Sequence, residues 1–162
     1  MASLLQIAEA LQFDGADLDS NRAGLISSSQ HRRLWRRDAW QLAGAAACLL
    51  AGGVFNVALL AGWMGTVRGK GAGLGLALMA IGVILGYASV TLWLDLLSRR
   101  VATAEGSADL EETRGRSGAQ YFVRIADARF NVPLQVYSEA GPGRWRAYYL
   151  QRSNTLLSLE PL

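Results

Sequence analysis

The stretch LAGAAACLLAGGVFNVALLAGWM, Leu42–Met64, contains no charged side chain. A second stretch of the same kind, LGLALMAIGVILGYASVTLWL, covers Leu74–Leu94. Each is long enough to cross a bilayer as a helix, which takes about 20 apolar residues. Nine residues, 65–73, separate the two stretches. The sequence therefore predicts a membrane protein with a tight transmembrane helical hairpin, whose spans cover about residues 42–64 and 74–95.

The predicted hairpin, residues 42–98, divides the chain into three parts. Residues 1–41 are predicted to be a cytoplasmic tail with a short amphipathic helix over Ser3–Gln12 and a capped juxtamembrane helix. The amphipathic helix lacks basic residues, which favours packing on protein rather than on a membrane surface. Residues 99–162 are numerous enough for one small domain. They are predicted to form an all-β cytoplasmic domain of the SH3-like or OB-like kind.

Histidine and cysteine each occur once, as His31 and Cys48. A lone cysteine inside a span cannot form an internal disulfide, and it reads as a small packing residue. Neither span has a histidine or an acidic residue at mid-depth, which argues against haem or chlorophyll ligated by this chain. No cofactor and no metal site are expected.

Basic residues concentrate at the ends of the two spans that lie far from the connecting loop. They are Arg32, Arg33, Arg36, Arg37, Arg99 and Arg100. The loop carries only Arg68 and Lys70. The positive-inside rule then places both termini in the cytoplasm and the loop outside, in the cell inner (plasma) membrane, with Trp63 near the outer interface. The six arginines are predicted to bind anionic lipid headgroups.

Two acidic residues, Asp38 and Asp95, lie at the cytoplasmic ends of the predicted spans. A carboxylate in a membrane helix suggests a proton or ion site. Neither residue lies at mid-depth, however, and each has an arginine nearby, Arg37 and Arg99. Ion pairs at the interface, with both carboxylates in contact with water, are therefore the favoured interpretation.

Small and polar residues recur along one face of each predicted span, which allows close approach of membrane helices. They are Gly44, Cys48, Gly52 and Asn56 in the first span and Gly75, Gly82, Gly86 and Ser89 in the second. Counting inward from the loop places Gly52 opposite Gly86 and Asn56 opposite Gly82. Asn56 is predicted to donate to a backbone carbonyl beside Gly82. The alternative is that Asn56 lines a pore or binds an ion, which would need several copies of the chain.

Residues 19–30 resemble a degenerate EF-hand loop. Asp19 and Asn21 match its first and third positions, but the twelfth position is Gln30 rather than the usual glutamate, which weakens calcium binding. The favoured alternative is a turn in which Ser27 caps the next helix. Gln30 lies three residues later, as in a capping box.

Hydrophobicity alternates with a period of two beyond residue 101, which predicts antiparallel strands. The predicted strands cover residues 121–126, 129–136, 145–149 and 156–159, with a possible further strand at 101–105. Asp127-Ala128 suits a hairpin turn, and Pro133 suggests an edge strand or a bulge. The polar stretch Glu105–Gly118 is predicted to be a linker or a long mobile loop.

The C-terminal domain has no recognisable nucleophile or general base with an orienting partner. Its acidic residues, such as Asp127 and Glu139, fall near turns, so an enzyme is not predicted. An oligonucleotide-binding face could be formed by four residues, Arg144, Arg146, Tyr148 and Tyr149. Cross-strand packing is the favoured explanation for them, and no nucleic acid is expected as a partner.

Two motifs, NRAGLISSSQ at residues 21–30 and YYLQRSNTLLSLEP at residues 148–161, resemble those of uncharacterised small bacterial two-span membrane proteins. The shared patterns are NRxGxIS and YYxxRSxxLLSxEP. The resemblance implies the same plan, with a short tail, two spans and a small β domain. It implies no activity and no site residues.

The favoured hypothesis is a non-enzymatic, membrane-anchored accessory or scaffold protein. Its hairpin would anchor it, and its cytoplasmic β domain would bind a partner protein or a larger membrane complex. The alternative is a homo-oligomeric channel or small transporter lined by the glycine faces and Asn56. A third hypothesis is a calcium-responsive regulator that uses residues 19–30.

Overall fold

The computed structural model describes residues 2–61, 68–115, 118–141 and 143–162. The helices of that part of the chain are α1 (Ala2–Leu11), α2 (Gly15–Arg22), α3 (Ser28–Leu60), α4 (Arg68–Ser98) and α5 (Leu134–Glu139). Its strands are β1 (Ala102–Gly115), β2 (Gly118–Ile125), β3 (Ala128–Val132), β4 (Arg144–Leu150) and β5 (Thr155–Pro161). The chain forms two compact units. We call residues 33–93 the hairpin unit, and residues 1–32 with 94–162 the sheet unit.

The hairpin unit confirms the two predicted apolar helices. Both α3 and α4 are long and apolar enough to cross a membrane, and only 17% and 18% of their apolar windows are buried. The predicted loop is wrong in its second half, because α4 begins at Arg68, six residues before Leu74. Trp63 lies outside the described residues.

The sheet unit confirms the predicted antiparallel C-terminal domain. Its five strands are ordered β3-β2-β1-β4-β5. The central strand β1 pairs with β4 over Ala102–Ser107 and with β2 over Ala108–Gly115. The predicted linker over Glu105–Gly118 is therefore wrong. Beyond Glu111 both faces of β1 are exposed, so this end of the strand shows no hydrophobic alternation.

Helix α5 replaces the end of a predicted strand. The alternation of apolar residues predicted a strand through Val136, but β3 ends at Val132. Pro133, with φ −64°, precedes the helix and has no N–H to donate to a sheet. Val136 and Ala140, one helical turn apart, are fully buried, whereas Leu134 is 56% exposed. Over so short a stretch, apolar residues at even positions fit either a strand or a helix.

The N-terminal helices complete the core of the sheet unit. Ile7 of α1 is fully buried in it, together with Phe13 and Leu18, as the absence of basic residues in α1 favoured. Helix α2 was not predicted. Asp14 caps it by accepting from the Asp17 N–H at 2.7 Å, and the Asp17 carboxylate accepts from the Asp14 N–H in return. Residues 1–32 are thus part of a folded domain rather than a separate tail.

Candidate functional sites

The two sequence motifs meet inside the sheet unit. Asn21 is the last residue on the buried face of α2, and Ser158 lies on β5. Both residues are fully buried. The Asn21 side-chain N–H donates to Ser158 Oγ at 2.8 Å. A hydrogen bond between side chains 137 residues apart fixes the N-terminal segment to the last strand.

A charged cluster continues this contact. We call Arg22, Arg146, Tyr148 and Glu160 the Glu160 cluster. Glu160, only 6% exposed, accepts from Arg22 Nε at 3.1 Å through Oε2. Its Oε1 accepts from Tyr148 Oη at 2.7 Å and from Arg146 Nη1 at 3.3 Å. Arg146 also donates to Glu105 at 2.7 Å, so the cluster joins α2 to three adjacent strands.

The electrostatics of the Glu160 cluster keep its carboxylate ionised. Burial alone would raise the pKa of Glu160, but the hydrogen bonds from Arg22 and Tyr148 and the charges of Arg22 and Arg146 outweigh it, and the pKa is lowered. Burial and donation to Glu160 raise the pKa of Tyr148, which remains a donor. Both Glu160 carboxylate oxygens accept hydrogen bonds. The arrangement therefore suits a structural role, in which Glu160 holds α2 against the sheet, better than proton transfer.

Sequence reasoning missed the Glu160 cluster, although one motif contains Tyr148 and Glu160. The relevant pattern was the run LSLE at residues 157–160. Its apolar and polar residues alternate, which is typical of a strand with one solvent-exposed face. In the structure all four of these residues are buried, because β5 is covered on both faces. Alternation alone does not reveal that second covering layer.

Asp95, near the end of α4, holds the turn between β4 and β5. Its carboxylate accepts from the backbone N–H groups of Arg152 and Ser153 at 3.0 and 2.7 Å. The predicted water-exposed ion pair with Arg99 is wrong, because Asp95 is only 4% exposed. Arg99 instead adopts φ +51°, a left-handed conformation typical of helix ends.

The segments that flank the two long helices pair with each other. The Ile26 N–H donates to the Arg99 carbonyl at 3.2 Å, and the Val101 N–H donates to the Gly24 carbonyl at 3.0 Å. Gly24 has φ +76°, which a residue with a side chain rarely adopts. Within the sheet unit, the segment that precedes α3 and the segment that follows α4 therefore lie side by side.

The degenerate EF-hand geometry is not present. Asp19 and Asn21 lie on helix α2 rather than in a loop, and the Asn21 side chain is bonded to Ser158. Ser27 Oγ accepts from the Gln30 N–H at 3.1 Å, as predicted for a cap. Within the described residues, the buried Gln30 amide has no partner, so the capping box is only half formed. In the same part of the chain, no group of three His, Cys, Asp or Glu residues could hold a metal.

Asp38 lies between the helices of the hairpin unit. It is 1% exposed, and Ser89 Oγ donates to its Oδ1 at 2.9 Å. The predicted water-exposed position at an interface is therefore wrong. The Trp35 and Trp93 rings also pack together between the two helices, with centroids 6.2 Å apart.

Small residues bring α3 and α4 together, but with different partners from those predicted. A Cβ at Gly52 would lie 2.8 Å from Met79 Cγ and 2.9 Å from the Gly75 carbonyl oxygen, not against Gly86. A Cβ at Gly75 would meet the Asn56 side chain at 2.7 Å. Asn56 donates to the Gly52 carbonyl of its own helix at 2.8 Å, rather than to a carbonyl beside Gly82.

The shift of partners follows from the helix ends. Because α3 ends at Leu60 and α4 begins at Arg68, the midpoint between them falls near position 64 rather than 69. The residue facing Gly52 therefore moves by about ten positions, which is nearly three helical turns. Gly82 packs against Leu49. Among the described residues, nothing lies within 4 Å of a Cβ built at Gly44 or Gly86, and Cys48 is half-buried.

The predicted headgroup ligands are accessible. Arg33 is half-buried and the other five are exposed, namely Arg32, Arg36, Arg37, Arg99 and Arg100. Trp40, on the same stretch of α3 as four of them, is 82% exposed. This combination of basic and aromatic side chains suits a membrane interface.

A polar groove lies between α1 and α5 in the sheet unit. Its volume is about 270 Å³, and it is lined by Gln6, Glu9, Gln135, Ser138 and Glu139. Two carboxylates in such a groove favour cationic groups of a partner.

Comparison of the chain with protein-family models, with curated proteins and with solved structures gives no match. The functional interpretation therefore depends on the geometry of these sites.

Proposed function

We propose that this chain is a membrane-anchored, non-enzymatic accessory or scaffold protein. The helices of the hairpin unit anchor it in a bacterial inner membrane, with both termini in the cytoplasm. The sheet unit recognises a partner protein or a larger membrane complex. The plan agrees with the small two-span membrane proteins that its two motifs resemble, and we extend it to this chain as part of the proposal.

The observation that carries the anchoring is the uncovered apolar surface of α3 and α4. Large side chains on both helices are more than two-thirds exposed, among them Leu50, Val54, Leu60 and Ile84. An apolar surface of this extent is unusual on a soluble monomer, and lipid would cover it. The exposed arginines at one end supply the cytoplasmic contacts with anionic headgroups.

Thiol labelling tests the anchoring and its orientation. In a Cys48→Ala background, Thr66→Cys in the connecting stretch is expected to react with an impermeant maleimide added to intact spheroplasts. Asp127→Cys, at an exposed turn of the sheet unit, is expected to react only after permeabilisation. Labelling of both sites, or of Asp127→Cys alone, in intact spheroplasts would contradict the orientation. Recovery of the chain in the soluble fraction would contradict the anchoring.

The recognition role is supported by the construction of the sheet unit. Its buried carboxylates accept hydrogen bonds that hold the fold together: Glu160 within the Glu160 cluster, Asp95 from the β4–β5 turn, and Asp17 from the Asp14 N–H. We infer that recognition uses the surface of the unit. The Asn154 side-chain N–H donates to the outward carbonyl of Arg129 on the edge strand β3 at 2.7 Å. We infer from this covered edge that the sheet curls into a partly open barrel of the SH3-like or OB-like kind.

Photo-crosslinking in native membranes tests the recognition role. A photoreactive residue at Gln135, which lines the polar groove, is expected to capture a second polypeptide. The same residue at Leu50, 71% exposed on α3, is the matched control and is expected to capture lipid. Protein adducts from Leu50 but not from Gln135 would contradict recognition through this groove. Turnover of a substrate by the purified chain would contradict the non-enzymatic role.

A homo-oligomeric channel or small transporter is the second candidate. The open space beside Gly44 and Gly86 favours it, because these glycines are free to meet another copy. Asn56 separates the two candidates. The channel requires that Asn56→Leu abolish ion flux in liposomes, whereas the accessory role requires only that the variant be less stable, since Asn56 bonds within the hairpin unit.

A further inference from the structure

Strand β1 is longer than its neighbour β4. Their pairing ends at Ser107 opposite Arg144, whereas β1 continues to Gly115 and pairs there only with β2 on its other side. Among the described residues, no strand pairs with the β4 side of β1 from Asp109 to Gly115. We call residues 109–115 on this side the open edge.

The direction of one hydrogen bond shows which backbone groups the open edge presents. The Ala108 N–H donates to the Gly143 carbonyl at 3.1 Å, on the β4 side. Because backbone groups of alternate residues point to the same side of a strand, Leu110, Glu112 and Arg114 direct their N–H and C=O groups to the open edge. Such a row of unpaired groups is a template for another strand.

Charge determines which strand fits. Glu112 and Arg114 lie on one face of β1, with Arg114 Nε 2.7 Å from the Glu112 carboxylate, and the Arg114 side chain is 84% exposed. In an antiparallel pair of two β1 strands centred on Thr113, each Glu112 faces an Arg114 of the other copy. Centring the pair on Glu111 or Glu112 would instead place like charges opposite each other, which is destabilising.

We propose that the open edge is the dimerisation surface of this protein, and that its occupant is the open edge of a second copy. The two β1 strands pair antiparallel about a twofold axis at Thr113. Two Glu112–Arg114 pairs form between copies in place of the one within each copy. This contact involves the sheet unit alone, so its failure would leave the proposed anchoring and partner recognition untouched.

Oxidative crosslinking of the full chain in mild detergent tests the register. Thr113 would occupy a non-hydrogen-bonded pair, where the Cα atoms are about 4.5 Å apart and a disulfide can form. In a Cys48→Ala background, Thr113→Cys is expected to form disulfide-linked dimers rapidly. Thr103→Cys is the matched control, because it is an exposed threonine of the same strand, at a position already paired with β4. Equal crosslinking at the two positions would overturn the proposal.

Charge reversal tests the complementarity. Glu112→Arg and Arg114→Glu each place like charges opposite each other, and each is expected to slow Thr113→Cys crosslinking about tenfold. The double reversal, Glu112→Arg with Arg114→Glu, restores opposite charges and is expected to restore the rate. Equal thermal midpoints for all variants would exclude an effect on the fold, since both side chains are partly or fully exposed. Failure of the double reversal to restore crosslinking would overturn the proposal.

Discussion

Glu160 shows how a single buried charge joins distant parts of this chain. Glu160 is 6% exposed, and its carboxylate accepts hydrogen bonds from α2 and from two positions on β4. A buried carboxylate destabilises a fold unless it is paired. Removal of the Glu160 carboxylate would in turn leave Arg22, Arg146 and Tyr148 without their acceptor. The Glu160 cluster should therefore contribute to the stability of the sheet unit, rather than to chemistry.

Glu160→Gln is expected to lower the free energy of unfolding by about 1–3 kcal/mol at neutral pH. The amide has one acceptor oxygen in place of two and cannot balance the charges of Arg22 and Arg146. The matched control is Glu105→Gln, which removes an ion pair of Arg146 at a side chain that is 46% exposed. It should cost less than about 1 kcal/mol. Denaturant melts of both variants in mild detergent would measure the difference.

The effect of Glu160 should depend on pH. Its pKa in the folded chain lies below the ordinary value of 4.5. The stabilisation is therefore fully present above pH 4.5 and is lost as the pH falls through the lowered pKa of the folded state. The difference in stability between the wild type and Glu160→Gln should be constant from pH 7 to about 5 and shrink below 4.5. A difference that grew on acidification would contradict this linkage.

Asp95 has an equally specific role, since it accepts from two backbone N–H groups of the β4–β5 turn. Asp95→Asn is expected to lower the free energy of unfolding of the sheet unit by about 1–3 kcal/mol, because an amide group has one acceptor oxygen where the carboxylate has two. Amide hydrogen exchange at Arg152 and Ser153 should accelerate in this variant. Asp127→Asn, at an exposed turn, should leave both amides unchanged. Unaltered exchange in Asp95→Asn would show that the turn does not depend on this carboxylate.

At the scale of elements, the contact between α3 and α4 depends on where α3 ends, at Leu60, and where α4 begins, at Arg68. Hydropathy does not predict either boundary. Gly52→Ala is expected to destabilise the hairpin unit by about 1–3 kcal/mol, because the added Cβ would meet Met79 and the Gly75 carbonyl. Gly86→Ala should be close to neutral, because its surroundings are open. Unfolding of both variants in micelles would measure this. Equal destabilisation would instead favour the register predicted from the sequence, with Gly52 opposite Gly86.

The elements that the sequence predicted well are those in which apolar and polar residues alternate, or which contain a long stretch without charge. Strands β2, β4 and β5 belong to the first group and the two apolar helices to the second. The sequence failed where a residue at a boundary decided the outcome. Pro133 ended a strand that alternation would have continued through Val136, and Arg68 lies inside a helix that apolarity alone would begin at Leu74.

The Glu160 cluster and the buried positions of Asp38 and Asp95 lay beyond sequence reasoning for a related reason. A polar residue near an arginine suggests a solvent-exposed ion pair, and burial by a distant segment cannot be inferred from spacing. Asn21 and Ser158 are 137 residues apart. Only the resemblance motifs marked both regions, and they did so without indicating that the regions touch.

For the whole molecule, the first residues of the chain are part of the domain that contains the last. Ile7 is fully buried in the core of the sheet unit. Ile7→Ala is therefore expected to lower the stability of the sheet unit by about 2–5 kcal/mol. Leu5→Ala, at a side chain that is 73% exposed, should change it little. Protease sensitivity of β1–β5 in membranes would report the effect, and unchanged resistance in Ile7→Ala would contradict a shared core.

We propose that helices α3 and α4 anchor a domain that recognises other polypeptides. The decisive measurement is gentle detergent extraction from native membranes, followed by native mass measurement of the particle that carries this chain. We expect recovery from the membrane fraction, in a particle whose mass requires at least one other polypeptide. A particle made only of copies of this chain would contradict the accessory role, and it would make ion flux in liposomes the property to measure.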